Sequence, residues 1–446
     1  MSQISHIKLK DIREARRYDA EYFKPEYLEI ERKLNRENKN LKDFDVKIYH
    51  PNEIKREYVQ ENGVLFVRTQ NVRPLKFDLT NEVYISKNDA SRLKKNKISN
   101  NDILMSRTGA NFGQTCLFNE GIEAIASSHT FIIKSGKINP FFLSIFFNTE
   151  LGRKMIDKGM YGGLQPEITP THLLKIPFLN FPQSFQLQIE QIVKSAHAKQ
   201  TKSKQLYREA EELLLRELGL LNYEIKRVIW FTTTKKEVEK ACRFDSEYFQ
   251  PKYADIIKKI EKYEGGWDTI KNIAHFKDKN YNPKGDQTYK YLALSNISNN
   301  GYVQDYQREI GKNLPSRARR QINTGDVVIS SIEGSLSSCS IIDQEFDNAI
   351  CSTGFFVLNS KIINSETLLI IFKSKIIQEL LQKGSKGTIL TAISKTELES
   401  IKIPLLKPSI QIQIAEKIQE SHRLRKESKD LLEEAKRKVE EEIEKQ

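Results

Sequence analysis

A chain that hydrolyses ATP carries a G-x-x-x-x-G-K-[ST] loop, because backbone N–H groups must cradle the phosphates while a lysine and a hydroxyl reach the phosphate oxygens and the magnesium ion. The nearest segment here, residues 384–388 (G-S-K-G-T), lacks both that spacing and the lysine–hydroxyl pair. ATP hydrolysis is not expected. Asn139-Pro140-Phe141-Phe142 partly matches the N-P-P-[YF] motif that holds a target base in amino-methyl transfer, yet the second proline is missing and no G-x-G strand-to-helix turn precedes it. Acid-x-lysine pairs such as Asp45-Val46-Lys47 and Glu53-Ile54-Lys55 arise freely in a chain with 72 basic and 59 acidic residues. The seven histidines show no H-E-x-x-H or other paired spacing, so no metal site is expected. His129, set between strand-like residues, reads as a structural histidine. Cys116, Cys242, Cys339 and Cys351 include no C-x-x-C pair. In an intracellular chain so few cysteines stay reduced, which disfavours disulfides and a cysteine zinc cage. The expectation is a chain with no catalytic, cofactor-binding or metal-ligating residues of its own.

What the composition does favour is a polyanionic partner. The net charge is +13 and the pI about 9.2. The lysine- and glutamate-rich tail, residues 422–446, has eight basic and eight acidic residues, and residues 186–221 have six and five, so about +12 lies on the remaining, more globular sequence. A chain of 446 residues has material for two or three globular units. Its longest apolar clusters, residues 141–147 (F-F-L-S-I-F-F) and 368–372 (L-L-I-I-F), fall short of the roughly 18–20 residues that cross a bilayer. The first residues, M-S-Q-I-S-H-I-K-L-K-D, contain no apolar core that would serve as a signal peptide. A cytoplasmic protein with no membrane partner is expected.

Self-similarity organises the chain. Residues 18–27, Y-D-A-E-Y-F-K-P-E-Y, return as residues 244–253, F-D-S-E-Y-F-Q-P-K-Y, 226 positions later, with seven of ten positions identical or exchanging one aromatic for another. Further blocks echo in the same order. Residues 101–106 (N-D-I-L-M-S) match 325–330 (G-D-V-V-I-S), and 128–133 (S-H-T-F-I-I) match 352–357 (S-T-G-F-F-V). Lys175-Ile176-Pro177 matches Lys402-Ile403-Pro404, and residues 186–189 (Q-L-Q-I) match 411–414 (Q-I-Q-I). Between these blocks the copies diverge, as in residues 61–79 against 286–306. The framework is repeated and the inserts are individual, which predicts a pseudo-two-fold arrangement of two similar halves with different surfaces.

The elements that would position those inserts follow from periodicity. Ile189, Val193, Ala196, Gln200, Ser203, Tyr207, Ala210, Leu214, Leu218 and Leu221 recur at three- or four-residue spacing, with Pro182 ahead and Gly219 near the end. This predicts a helix of about 35 residues, roughly 50 Å long. Ile414, Ile418, Ser421, Arg425, Ser428, Leu431, Ala435, Val439 and Glu442 follow the same rhythm after Pro408, with polar residues interrupting the apolar stripe in the middle. Neither stripe can be buried alone, so antiparallel packing of the two helices is expected. Short β-branched or aromatic runs (64–67, 103–106, 131–133, 291–294, 327–330 and 355–358) predict strands of a curved sheet in each half. Residues 141–155 and 366–382 have helical spacing. The fold class is therefore α/β (α+β): two similar domains with curved sheets, separated by two long antiparallel helices forming a coiled coil. The domain boundaries are residues 1–182, a helix over 183–221, 222–407, and a helix over 408–446.

The doubled [YF]-D-x-E-Y-F-x-P-x-Y blocks, the segments opening I-x-x-x-x-L and closing K-I-P (168–177 and 393–404), and the following Q-x-Q-I helices together resemble the DNA-specificity subunit of type I restriction-modification systems. The resemblance spans nearly the whole chain. It implies two target-recognition domains held apart by the helices, and a non-catalytic subunit bound to double-stranded DNA. It also implies two methyltransferase subunits that use S-adenosylmethionine and, through them, recruitment of two restriction subunits that use ATP and magnesium. The target would be bipartite and asymmetric, with an unread spacer set by the helices. Dispersed lysines would supply phosphate contacts and a few side chains would read base edges.

The expected readers sit in the turns after strands. In the first domain Arg68, Gln70 and Asn71 offer planar groups suited to guanine and adenine edges, as do Arg107, Asn111 and Gln114 around the G-A-N-F-G-Q turn. In the second, the corresponding turns carry Ser295 and Asn296, then Ser331, Glu333, Ser335 and Ser337, with Arg317, Arg319 and Arg320 nearby. Glycine loops at residues 162–165 and 383–388 add Gly163, Gln165 and Lys386. The ten-residue aromatic blocks read as core packing in preference to a methyltransferase contact. Two rivals remain: a diverged methyltransferase or nuclease with its own active site, which the missing motifs oppose, and a coiled-coil adaptor that joins proteins without touching DNA.

Overall fold

The computed structural model describes residues 4–445 except Thr80, Leu164, Asn299 and residues 387–390. Two compact units emerge, one built from Met1–Lys199 with Lys426–Gln446, the other from Gln200–Arg425. Each long helix is thus shared between the units.

Among the described residues each unit holds two larger sheets, besides two-stranded ribbons, where a single curved sheet was expected. In the first unit an antiparallel sheet runs in the order Lys47–Tyr49, Thr130–Lys134, Asp102–Ser106, Thr115–Phe118. A mixed sheet runs Tyr58–Val59, Tyr84–Ile85, Val64–Val67, Ala124–Ala126, Lys97–Ile98, with Val64–Val67 and Ala124–Ala126 parallel. The second unit repeats the antiparallel sheet as Ala274–Phe276, Phe355–Ser360, Val327–Ser330, Cys339–Ile341. It repeats the mixed one as Gln307–Ile310, Thr288–Leu292, Ile350–Ser352, Ala318–Gln321, again with the middle pair parallel.

Strand alternation explains why two sheets form. Successive side chains point to opposite faces of a strand. Leu104 and Ile132 enter a core with Leu65 and Val67 of the mixed sheet, while Ile103, Met105, Phe131 and Ile133 enter a core with the helices. The antiparallel sheet is therefore apolar on both faces, and all five residues of Asp102–Ser106 are buried. Val328 and Val357 against Val327, Ile329 and Leu358 divide in the same way in the second unit.

Each of the expected helical stretches breaks once. The helices are Pro140–Asn148 and Glu150–Lys158, then Ser365–Lys373 and Lys375–Gly384. The interrupting Thr149 and Ser374 have extended ψ values of 161° and 141°. Their hydroxyls donate to Phe146 O at 2.7 Å and Ile371 O at 2.6 Å, competing with the helical ladder. The K-I-P segments return the chain to the start of each unit: Pro177 bridges Asn40, and Pro404 pairs with Trp267.

The long helices are Gln183–Glu217 and Pro408–Lys445. The first stops where Gly219 takes φ 64° and Leu220 N–H donates to Leu215 O at 2.7 Å, a left-handed helix terminus. In the first unit Ile189 and Val193 share a core with Ala435, Val439 and Ile443, and Lys199 pairs with Glu427 at 2.6 Å. In the second, Ala210 and Leu214 share a core with Ile414 and Ile418, and Lys417 pairs with Glu209 at 2.6 Å. Partner numbers fall along one helix as they rise along the other, so within each unit the helical halves run antiparallel. The polar interruption of the stripe is a reciprocal clasp: Ser203 Oγ donates to Ser421 O at 2.7 Å and Ser421 Oγ to Ser203 O at 2.8 Å.

The aromatic blocks divide. Phe23 and Tyr253 are buried at 4% and 1% exposure, as core packing requires, but Tyr18 and Phe244 stand in solvent at 84% and 91%. For those two, the first residues of their blocks, the core-packing expectation fails, because each stands ahead of the 3-10 turn of its block, Ala20–Phe23 or Ser246–Phe249. Among the described residues no helix is long and apolar enough to cross a membrane, and no group of three or more His, Cys, Asp or Glu could hold a metal ion. All four cysteines are free thiols.

Candidate nucleic-acid interface

The first reading turn grows out of the buried strand Val64–Val67. Arg68 leaves the strand and a 3-10 turn, Thr69–Asn71, follows. Asn71 is only 1% exposed. It accepts from Arg68 N–H at 2.9 Å, donates to Asp78 O at 2.8 Å, and its carbonyl accepts from Asp78 N–H at 2.8 Å. The second unit builds the same turn. Asn296, 7% exposed, accepts from Ala293 N–H at 2.8 Å, and its carbonyl accepts from Gln304 N–H at 2.9 Å. Both asparagines hold the turn from inside. The side chains that reach outward there are Ser295, which is exposed, and the half-buried Arg68 and Gln70. Arg68 Nη2 donates to Asn81 O at 2.6 Å and its guanidinium lies 5.8 Å from the Tyr58 ring centre, while Gln70 Nε2 reaches the same carbonyl at 3.3 Å.

The second turn of the first unit follows Asp102–Ser106. Arg107 Nη1 meets His50 Nε2 at 2.6 Å and its Nη2 lies 3.6 Å from Glu167 Oε1. Burial, helped by this guanidinium, lowers the His50 pKa, so the neutral ring accepts. Asn111 accepts from Arg73 Nη1 at 2.6 Å and donates to Thr69 O at 3.4 Å, and Gln114 Oε1 lies 3.5 Å from the same Arg73 nitrogen. The two turns are thereby joined through Arg73 and Thr69. Arg73 escaped the sequence reading because it sits in a two-residue hairpin strand, Val72–Arg73 paired with Lys76–Phe77. The signal was present as a proline one residue later, in R-P-L-K. The glycine loop lies against the second turn: Thr108 bridges Glu167, Gly109 N–H donates to Pro166 O at 3.3 Å, and Gly163 and Gln165 are exposed.

The second unit places its equivalents alike. Ser331 Oγ donates to Gly354 O at 3.0 Å, Ile332 bridges Ala392, and Glu333 N–H donates to Thr391 O at 3.0 Å. Ser335 Oγ meets Ser330 Oγ at 2.8 Å, and Ser337 is exposed. Lys386 lies on the strand Ser385–Lys386, opposite Ala392, while Leu164, Gly387 and Thr388 of the two glycine loops lie outside the described residues. Arg317 is exposed, and its carbonyl accepts from Thr353 N–H at 2.8 Å, next to the Gly354 that receives Ser331. Arg319 and Arg320 turn instead to the 278–282 segment, where Arg319 Nη1 donates to Asn282 Oδ1 at 2.8 Å and Arg320 Nη1 to Asn280 Oδ1 at 3.0 Å. Each unit therefore groups two turns and a glycine loop beside its paired sheets. The groups exposed there are hydrogen-bonding amides, guanidinium groups and hydroxyls, suited to base edges and phosphates.

Residues 264–437 match the type I restriction modification DNA specificity domain, the family that the doubled motifs resemble. No curated protein sequence matches the chain. Among solved structures, the HsdS subunit from Thermoanaerobacter tengcongensis is 25% identical over 37% of this chain and 46% of that one, with a TM-score of 0.32. The match thus spans less than half the length of that protein. A type-I restriction-modification system S subunit from M. genitalium is 12% identical over 89% of this chain and 92% of that one, with a TM-score of 0.40.

Proposed function

We propose that the chain is the sequence-reading subunit of a type I restriction-modification assembly, with each unit reading one half of a bipartite, asymmetric DNA target. One observation carries the reading. Most of the region matched to a DNA specificity domain, residues 264–425 of 264–437, lies in the second unit, and the strand order of that unit recurs in the first around different turn residues. Two copies of one reader with unlike inserts suit two unlike half-sites. The chain itself is non-catalytic and works in the cytoplasm. It carries two methyltransferase subunits, which bring S-adenosylmethionine, and through them two restriction subunits, which bring ATP and magnesium. The paired helices form a coiled coil that sets the unread spacer.

The test is to replace residues 1–182 with the matching part of another specificity chain and map methylated motifs in cells that also contain the methyltransferase. One half of the motif changes and the other stays. A motif altered in both halves, or transfer of methyl groups by the purified chain alone, overturns the proposal. An adaptor that never touches DNA is eliminated by duplex binding whose affinity falls steeply with salt.

A further inference from the structure

The turn that carries Ser295 continues into a hairpin that closes between Asn296 and Gln304. Within it Ile297 bridges Val303, and the Tyr302 carbonyl accepts from Ser298 N–H at 2.9 Å. The tip is seated on the framework. Ser340 Oγ donates to Gly301 O at 3.2 Å, and Gly301, at φ 79°, lies so close to Leu369 that a Cβ would stand 2.7 Å from its Cδ2. The first unit seats its hairpin at the equivalent place, where Leu75 takes φ 57° and its N–H donates to Thr115 O at 3.0 Å. Thr115 and Ser340 stand 225 positions apart, the offset that also relates Gln186 to Gln411. The closing bond spans seven positions in the first unit, from Asn71 to Asp78, and eight in the second, from Asn296 to Gln304. The second hairpin is therefore one residue longer.

Tyr302 belongs to that longer hairpin, and it rests on the C-terminal long helix. The Arg425 guanidinium lies 3.1 Å from the Tyr302 ring centre, the shortest cation–ring contact among the described residues, ahead of Lys402 on Trp267 at 4.0 Å. Arg425 stands in the polar middle of the helical stripe, one turn beyond the Ser421 clasp. That place is costly, because its Nε is buried without a hydrogen-bond partner among the described residues. Attraction of the guanidinium to the aromatic face offsets the cost. At the equivalent positions the first half carries Gln200 in its long helix and Lys76 in its hairpin, and Lys76 turns to Asp78 at 3.6 Å. Those two side chains cannot form a guanidinium–ring stack.

Residues of the shared framework recur in both halves, whereas a residue that serves one half-site has no need to. Arg425 and Tyr302 belong to the second half alone. On the reading of DNA proposed above, we infer that Arg425 is a positioning residue for the second half-site: stacked on Tyr302, it fixes the hairpin, and with it Ser295 and the turn that Asn296 holds, in one place on the long helix. The path from stack to turn is short. Two residues after Tyr302, Gln304 N–H donates to Asn296 O at 2.9 Å and Gln304 Nε2 to Ser295 O at 3.1 Å. A longer helix keeps the contact when its added seven residues repeat 421–427, because an arginine then remains opposite Tyr302.

The experiment uses the full chain with its methyltransferase and a duplex library in which either half-site is randomised, and it reads methylation of every sequence. The second unit's half-site is the one that survives replacement of residues 1–182. Arg425→Gln and Tyr302→Leu each lower the preference for the correct second half-site about tenfold, the lower end of what one lost base contact costs, and leave the first half-site and the spacer unchanged. Tyr302→Phe, which keeps the ring, retains the wild-type preference. A change that only loosened the fold would depress methylation of all sequences alike, so unequal loss is the signature of positioning. Arg425→Gln installs the residue that the first long helix already holds at this position, and it carries the test alone where Tyr302→Leu does not fold. Wild-type preference in Arg425→Gln overturns the inference, as does equal loss at the two half-sites or a Tyr302→Phe as damaging as Tyr302→Leu, and each of these leaves the DNA-reading proposal intact. A wild-type motif with no second half overturns both.

Discussion

Asn71 and Asn296 occupy the places where base-reading amides were expected, yet each is buried and holds its own turn together. Removing Asn71 strands Arg68 N–H and Asp78 O. Unmet buried backbone groups cost about 1–3 kcal/mol, so Asn71→Ala should lower the unfolding free energy by about 2–3 kcal/mol in chemical denaturation, whereas Gln165→Ala, on the exposed loop, should leave it unchanged. Two histidines report on burial in another way. Burial holds His172 at a pKa of about 4, with Nε2 donating to Met155 O at 2.9 Å, and holds His422 at about 4 as well. Unfolded, both return to about 6.5. Between those values the unfolded chain binds more protons, so stability is full above about pH 6.5 and declines as pH falls toward 4. Each ring contributes at most about 1.4 kcal/mol per pH unit. The urea midpoint should fall between pH 7 and pH 5, and fall much less in a His172→Gln, His422→Gln double variant.

At the scale of elements, the long helices owe their helicity to the partner helix and the globular cores, because an apolar stripe cannot remain exposed in water. Ile418 is fully buried beside Ile414, Ala210 and Leu214. Ile418→Ala should cost about 2–5 kcal/mol of stability, measured as a loss of unfolding free energy in urea. The polar break in the stripe was legible as Ser421 and Ser428, but its meaning was not. Only with Ser203 opposite does Ser421 become part of a clasp. Thr149 and Ser374 were hidden for a related reason: their flanking residues keep helical spacing, and the break depends on a hydroxyl turning back to a carbonyl one turn earlier.

On the scale of the whole molecule, the proposed ruler makes a numerical prediction. Inserting seven residues into each long helix, beside Ser203 and beside Ser421, preserves the phase of the apolar stripe and adds about 10 Å, or about three base pairs at 3.4 Å each. Methylation mapping should find a spacer about three base pairs longer between two unchanged half-sites. An unchanged spacer would separate the helices from the choice of target length.

The repeat, the two long helices, most strands and the absence of enzyme motifs were all legible in the residue order, because they rest on local identity and periodicity. Sheet number, the inward turn of Asn71 and Asn296, the linking role of Arg73 and the exposure of Tyr18 and Phe244 were not. A strand apolar on every residue reveals that both faces are covered but not by what, and a polar or aromatic side chain has no assigned role until the neighbouring backbone fixes its direction. Periodicity specifies which face of an element must be hidden. Only the packing of distant segments decides what hides it and which side chains remain free to meet a partner.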